Sequence, residues 1–329
     1  MKKRPYIIFL AKRQSSASTR YRALNYFPFL KQAGFYPVHM DTKGSCFHKL
    51  TILREVKKSD AVVVIRKTFS LPFRIVLQLL SIKLIFDFDD AVFVKSNGKN
   101  SRLRKGRFKS MLKAVDHVWA GNEYLAENAK KWNASVDILP TAVDLNRYKK
   151  VGEKSKKNID IVWIGSSSTK KYLQELVPIL EILVKRSPHI RLKIIADFDL
   201  ETKNLTTLPI DWSNDTEVDA LSSSHIGISM MSDDAWSRGK CGLKVLQYMS
   251  SSLPVVVSNV GVHREIVVQG KSGFLVNDES EWLSALSSLI NDEQLRLSMG
   301  KYGQQIVKKR YNYEATSRSM IKLLQNIDS

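Results

Sequence analysis

Ile159-Asp160-Ile161-Val162-Trp163-Ile164 runs into Gly165-Ser166-Ser167-Ser168-Thr169 and then Lys170-Lys171. An apolar run of this length with β-branched residues reads as a buried strand. The Gly/Ser/Thr cluster after it reads as a turn into a helix. The same alternation recurs on both sides. Downstream, 190–196, 225–230 and Pro254-Val255-Val256-Val257 are strand-like, each followed by a helical stretch. Upstream, strand-like runs at 5–11, 62–65, 83–86, 117–119 and 136–139 alternate with helical runs at 20–31, 71–80 and 124–132. Such a pattern, twice over, predicts an α/β protein of two doubly wound parallel-sheet domains. The polar stretch Tyr148-Lys149-Lys150-Val151-Gly152-Glu153-Lys154-Ser155-Lys156-Lys157 lacks apolar periodicity and reads as the linker. The expected domains are therefore 1–150 and 151–312, with three helices closing the chain at 278–290, 293–309 and 313–327. No G-x-G-x-x-G fingerprint and no internal repeat are visible.

At 329 residues the chain is long enough for two cores. Met1-Lys2-Lys3-Arg4 and the apolar Tyr6-Ile7-Ile8-Phe9-Leu10-Ala11 superficially resemble a signal peptide, but Lys12-Arg13 close that run after six residues. It is too short for a signal-peptide core or a membrane span and reads as the first strand. Cys46 and Cys241 make no disulfide framework, which fits a reducing cytoplasm. The net charge of +20 is unevenly spread. Residues 1–150 hold 30 Lys and Arg against 11 Asp and Glu; residues 151–329 hold 22 against 21. The densest stretch, from Lys95 to Lys113, contains no acid. A surplus confined to one half favours a surface that meets anions over a merely solvated face. Nucleic acid is not the expected partner: no helix-turn-helix pattern, zinc spacing or RNA-recognition aromatic motif is present.

Two helix starts carry cations where the helix dipole favours acids: Lys170-Lys171, and Arg238-Gly239-Lys240-Cys241-Gly242-Leu243-Lys244 before Val245-Leu246-Gln247-Tyr248-Met249. Unpaired N–H groups at a helix start already attract anions. Added lysines make sense if an anion belongs between them. Gly165 and Gly242 would let backbone approach it.

Gly242-Leu243-Lys244-Val245-Leu246-Gln247-Tyr248-Met249, Leu253-Pro254-Val255-Val256-Val257-Ser258, Gly261-Val262-His263-Arg264-Glu265-Ile266-Val267 and Gly273-Phe274-Leu275-Val276 together resemble the nucleotide-sugar domain of glycosyltransferase family 4. Leu139-Pro140-Thr141-Ala142-Val143-Asp144 resembles that family's end-of-N-domain signature. Arg20-Tyr21-Arg22 and Asp87-Phe88-Asp89-Asp90 resemble its bacterial surface-polysaccharide branch. The resemblance implies the GT-B fold: two Rossmann-like domains facing a cleft, an N-terminal acceptor domain and a C-terminal donor domain, with residues 313–329 returning to the first. It implies that the anion is the diphosphate of a nucleotide sugar and that transfer proceeds with retention, without a metal or other cofactor. Two acids of the family pattern fall here on Gly239 and Gln247, and its first diphosphate arginine falls on Ser166.

The residues expected to act are Lys171 and Lys244 on the diphosphate, and Asp87 and Asp89 on the acceptor hydroxyl. Period-2 alternation sets these two acids on one strand face, opposite Phe88. Gly165, Ser166, Lys170, Arg238, Lys240, Gly242, Gln247 and Glu265 are the expected donor contacts, with Asp233 or Asp234 and Trp236 beside them. Arg20 and Arg22 are expected to bind an acceptor phosphate or the donor diphosphate. The expected partners are a nucleotide sugar, a lipid-linked or anionic glycan acceptor, and the anionic inner leaflet of the cytoplasmic membrane, met by the basic N-domain of a cytoplasmic protein. A protein of the same fold that binds a nucleotide sugar without turnover is the alternative, prompted by Gly239 and Gln247.

Overall fold

The computed structural model describes residues 4–95, 97–150 and 152–326. The Met1-Lys2-Lys3 lead, Val151 of the expected linker and residue 327 of the expected last helix lie outside the described residues. Two compact units account for the chain. The first takes Met1–Ala142, Asp234–Cys241 and Tyr313–Ser329; the second takes Val143–Asp233 and Gly242–Asn312. The break at 142 precedes the polar stretch read as a linker, and the short segment 234–241 clusters with the first unit.

In the first unit six parallel strands, β1 (Tyr6–Ala11), β2 (Tyr36–Asp41), β3 (Ala61–Ile65), β4 (Leu84–Phe88), β5 (His117–Ala120) and β6 (Val136–Ile138), lie in the order β2-β1-β3-β4-β5-β6. Every residue of β3 and β4 is buried, as expected for central strands covered on both faces. Helices Cys46–Val56, Leu71–Leu80, Arg102–Leu112 and Glu123–Lys130 contribute Ile52, Leu77, Phe108 and Leu125 to one core. On a second core Leu30 meets Met320 and Leu324 of helix Tyr313–Gln325. That helix is tied in by the edge-on pair Tyr26–Tyr313, centroids 5.0 Å apart, and by the Tyr26 hydroxyl donating to Thr316 at 3.1 Å.

The second unit repeats the design. Its strands are β7 (Ile159–Ile164), β8 (Ile190–Ala196), β9 (Thr206–Asp211), β10 (Ile226–Ser229), β11 (Val255–Ser258) and β12 (Gly273–Val276). All are parallel, in the order β12-β11-β10-β7-β8-β9. Helix Lys170–Arg186 buries Leu173, Leu176, Leu180 and Leu183 at helical spacing. Helix Leu243–Ser250 belongs to a separate core with Val162, Ile164 and Val255. Helices Asn214–Ser222, Glu279–Asn291 and Glu293–Arg310 start on side-chain caps from Ser213, Asp278 and Asp292. Three strands absent from the sequence reading, β2, β9 and β12, are all edge strands. The first two carry a proline, Pro37 and Pro209, and polar residues that break the apolar run of a central strand, while β12 is only four residues long and half-exposed at Phe274 and Leu275.

Two buried histidines make the second unit acid-sensitive. His225 Nδ1 accepts the backbone N–H of Asp160 at 3.0 Å, so that nitrogen carries no proton. His263 is 1% exposed, with Nδ1 2.9 Å from the Ser258 carbonyl. Burial, helped by nearby lysines, lowers both to about 4. A folded-state value below the unfolded value of about 6.5 gives stability that is complete above that pH and lost as pH falls toward 4. Each contributes roughly 3 kcal/mol by that linkage. Melting curves between pH 8 and 4.5 should show a decline beginning near pH 6.5. A flat profile down to pH 5 would contradict it.

Candidate active site

In an open parallel sheet, ligands bind at the carboxyl ends of the strands where the strand order reverses. In the second sheet that point lies between β7 and β10. The loop after β7 is Gly165 to Thr169, and Ser167–Thr169 form one 3-10 turn with a reciprocal Ser166/Thr169 capping box. Ser167 donates from its N–H and hydroxyl to the Asp197 carboxylate beyond β8, at 3.0 and 2.9 Å, which braces the loop. Those donors hold the Asp197 carboxyl below the usual range.

Lys244, in the first turn of helix Leu243–Ser250, reaches this loop. Its Nζ stands 3.3 Å from Thr169 Oγ1 and 4.0 Å from the centroid of the buried Trp163 ring. A Cβ at Gly165 would sit 2.1 Å from Trp163 Cη2 and 2.8 Å from Lys244 Nζ, so only glycine leaves room for the ammonium. Gly242 caps the same helix at φ +69°, a conformation glycine adopts without penalty, and a Cβ there would meet Ile266 at 2.5 Å. Neither helix Lys170–Arg186 nor helix Leu243–Ser250 has an acid in its first turn. One ammonium thus meets the loop after β7 at a glycine, against which the Trp163 ring and the ammonium itself pack. That arrangement suits a phosphate.

The other expected donor residues are dispersed. Lys170 donates to the Asp199 carbonyl at 3.2 Å and lies 4.6 Å from the Phe198 ring. Lys171 is exposed, with its ammonium 4.6 Å from the Tyr172 ring. Ser166 is exposed, with its hydroxyl 2.9 Å from that of Ser168. Gln247 is buried within its helix. Glu265 is half-buried in the short helix His263–Ile266, and its carbonyl accepts from the Tyr311 hydroxyl at 3.3 Å. A depression of about 400 Å³ opens beyond β10, β11 and β12, lined by Met231, Asp233, Ser258, Asn259, Arg264 and Asn277.

Arg238 and Lys240 group with the first unit. Asp234 caps the turn Ala235–Arg238, accepting from the N–H groups of Trp236 and Ser237 at 2.8 Å. The Lys240 ammonium pairs with Asp90 at 2.9 Å and lies 3.6 Å from the Trp236 ring. The Asn122 amide donates to the carbonyls of Arg238 and Lys240, at 3.1 and 2.8 Å. The Lys240 charge is thus matched by Asp90 in this unit. A Cβ at Gly239 would lie 2.5 Å from Ala91 Cβ and 2.8 Å from Ala91 N, so no acid of the family pattern fits there.

At the carboxyl end of β4 the alternation holds: Phe88 enters the apolar core, while Asp87 and Asp89 meet arginines. Arg22 grips Asp87 through Nε at 2.9 Å and through a second bond from Nη2, and Nη1 donates to the Leu139 carbonyl at 2.8 Å. Both side chains are inaccessible, at 0% and 1%. This corrects the expectation that Arg22 binds a phosphate and Asp87 orients an acceptor, because a pair sealed in the core touches neither. Arg20 sits half-buried in the same helix, Ala17–Arg22. Asp89 pairs with Arg66, which also approaches Asp90 at 3.4 Å. Burial opposes ionisation of Asp89, but Arg66 and Arg22 outweigh it and hold its carboxyl below the usual range. Arg66 was not singled out from the sequence. It follows β3 directly at φ +57°, and the visible signal was a charge abutting Val62-Val63-Val64-Ile65. With these carboxylates held by cations, the Asp87-x-Asp89 pair offers no open metal-ligand set, and no cluster of three His, Cys, Asp or Glu suited to a metal occurs among the described residues.

Comparison with known proteins bears on both units. Residues 158–292 match the family model described as glycosyl transferases group 1. The D-inositol 3-phosphate glycosyltransferase of Corynebacterium urealyticum is 33% identical over 88 residues, 26% of this chain and 20% of that protein. The matched segment thus spans about a fifth of that curated relative. A glycosyltransferase structure from Rickettsia africae superposes with a TM-score of 0.74 at 14% identity, covering 99% of both chains. Anabaena Alr3699/HepE, solved in complex with UDP and glucose, gives 0.71 at 13% identity, covering 98% of this chain and 100% of that one. At such identities the likeness is one of fold, and the fold is GT-B.

Proposed function

We propose, with a group 1 glycosyl transferase domain over residues 158–292 as the premise, that this protein transfers a sugar from a nucleotide-sugar donor to a glycan acceptor. The observation that carries the reading is the Lys244 ammonium poised at Gly165 and Thr169, in the crevice where the second sheet reverses order. A diphosphate there gains charge as the glycosyl bond breaks, and a fixed cation with helix-start amides stabilises that charge. Transfer proceeds with retention, the leaving diphosphate taking the acceptor proton on the face of attack, and no resident metal takes part. Lys171 and Glu265 complete the donor site when ligand binds, and Asp89, held by Arg66, faces the acceptor. The acceptor is lipid-linked or anionic, which suits a first half with 30 Lys and Arg against 11 acids, and the protein works at the anionic inner leaflet.

Thermal-shift measurements with UDP-, GDP-, ADP- and CDP-linked sugars test the donor assignment. One nucleotide class should raise the melting temperature by several degrees at concentrations near 100 times its Kd, about 2.7 kcal/mol. Equal response to all four, or to none, would overturn it. A second reading, binding without turnover, draws on Gly239, where close packing on Ala91 denies the family acid a place. Release of free sugar or of nucleoside diphosphate from the stabilising donor would eliminate that reading.

A further inference from the structure

Helix Leu71–Leu80 is apolar on both sides. Its inner residues Phe73, Leu77 and Leu80 pack into the core over the first sheet, and its single charge, Arg74, is buried and donates to Ser110 at 2.5 Å. Its outer side should then be polar if it met only water. Instead Leu71, Ile75 and Leu79, spaced four apart, form an exposed stripe, with Leu79 79% exposed. Ile82, just beyond the helix, is 67% exposed. On one flank helix Arg102–Leu112 presents Leu103, 64% exposed, and shares with Leu71 a groove of about 430 Å³ that Arg102 and Arg107 line. On the other flank helix Cys46–Val56, which also packs against Leu71–Leu80, exposes Phe47 at 82%. The three helices pack on the same face of the sheet, and Leu71 and Leu103 line one groove.

Exposed apolar side chains concentrated on one helical layer mark a binding face, and the basic residues beside them identify the occupant. Arg102, Arg104, Lys105 and Arg107 are all exposed and no acid lies in that helix. A second copy of this chain would set like charges against one another across the two-fold axis. An anionic bilayer satisfies both features: headgroup phosphates meet the arginines while the leucines enter the acyl boundary. No helix among the described residues is long and apolar enough to cross a membrane.

We propose that the outer side of helices Cys46–Val56, Leu71–Leu80 and Arg102–Leu112 is a bilayer-docking face that inserts Ile75, Leu79, Ile82 and Leu103 into an anionic leaflet. This rests on the inner-leaflet placement proposed above and deepens it, from charge attraction to shallow insertion through named side chains. The test is sedimentation of the full chain with vesicles of equal phosphatidylglycerol and phosphatidylcholine, beside vesicles of phosphatidylcholine alone. The wild type should bind the anionic vesicles at least tenfold more tightly than the neutral ones, with part of that binding surviving 0.5 M salt. Ile75→Ser with Leu79→Ser should lower anionic-vesicle affinity about tenfold and abolish the salt-resistant part. Both positions are exposed, so circular dichroism and melting temperature should match the wild type. Failure of the wild type to bind anionic vesicles would overturn the membrane placement itself. Wild-type binding matched by the double variant would overturn only this face. A wild-type dimer that the double variant converts to monomer, with vesicle binding unchanged, would assign the surface to a second copy instead.

Discussion

Lys244→Met should lower turnover by about 100- to 1,000-fold, the range expected when one preorganised group stabilising developing charge is removed. Methionine keeps an unbranched side chain of similar length but removes the ammonium that lies over Trp163 and beside Gly165. Because charge on a diphosphate grows during bond cleavage, kcat should fall more than KM rises. Melting temperature without donor should change little, whereas the shift caused by the preferred nucleotide sugar should shrink. Steady-state kinetics and thermal shift on the same preparation separate these effects. Unchanged kcat, with the protein folded, would remove Lys244 from the site and with it the observation on which the functional reading stands.

Arg22→Ala should destabilise the protein by about 3–5 kcal/mol, since it leaves Asp87, whose carboxyl burial already pushes up, buried and without its partner. Arg22 supplies two bonds to that carboxylate and one to the Leu139 carbonyl, and water cannot replace them at 0% exposure. For a unit of this size the loss corresponds to a fall in melting temperature on the order of 10 °C. Arg22→Met with Asp87→Asn should recover a large part of it, because the uncompensated charge disappears while the volume stays. A single variant that melts like the wild type would mean that Asp87 finds another cation or is protonated at no cost. Activity measured below the variant's transition should remain, since neither side chain reaches the surface.

Much of the fold was readable because central parallel strands are buried on both faces and must be apolar throughout. Val62–Ile65 and Ile159–Ile164 announce themselves for that reason. The edge strands Tyr36–Asp41 and Thr206–Asp211 do not, because one side meets solvent and each tolerates a proline. In the candidate site the glycines and Lys244 were visible, since a cation at a helix start and a glycine after a strand each break a local expectation. Arg66 and Asn122 escaped notice: their partners lie 23 and 116 residues away in sequence, and no local rule marks either.

The sequence by itself determined two parallel-sheet units, the alternation that turns Asp87 and Asp89 away from Phe88, and the concentration of positive charge in the first half. These follow from side-chain period, burial and composition, which are properties of short stretches or of plain counting. Only the tertiary structure decided how each charge is used. It sealed Arg22 against Asp87, matched Lys240 to Asp90, brought Lys244 over Trp163 to Gly165, and left Leu79 and its neighbours uncovered. Whether a charge or an apolar side chain is free depends on groups distant along the chain, and folding alone brings them within reach.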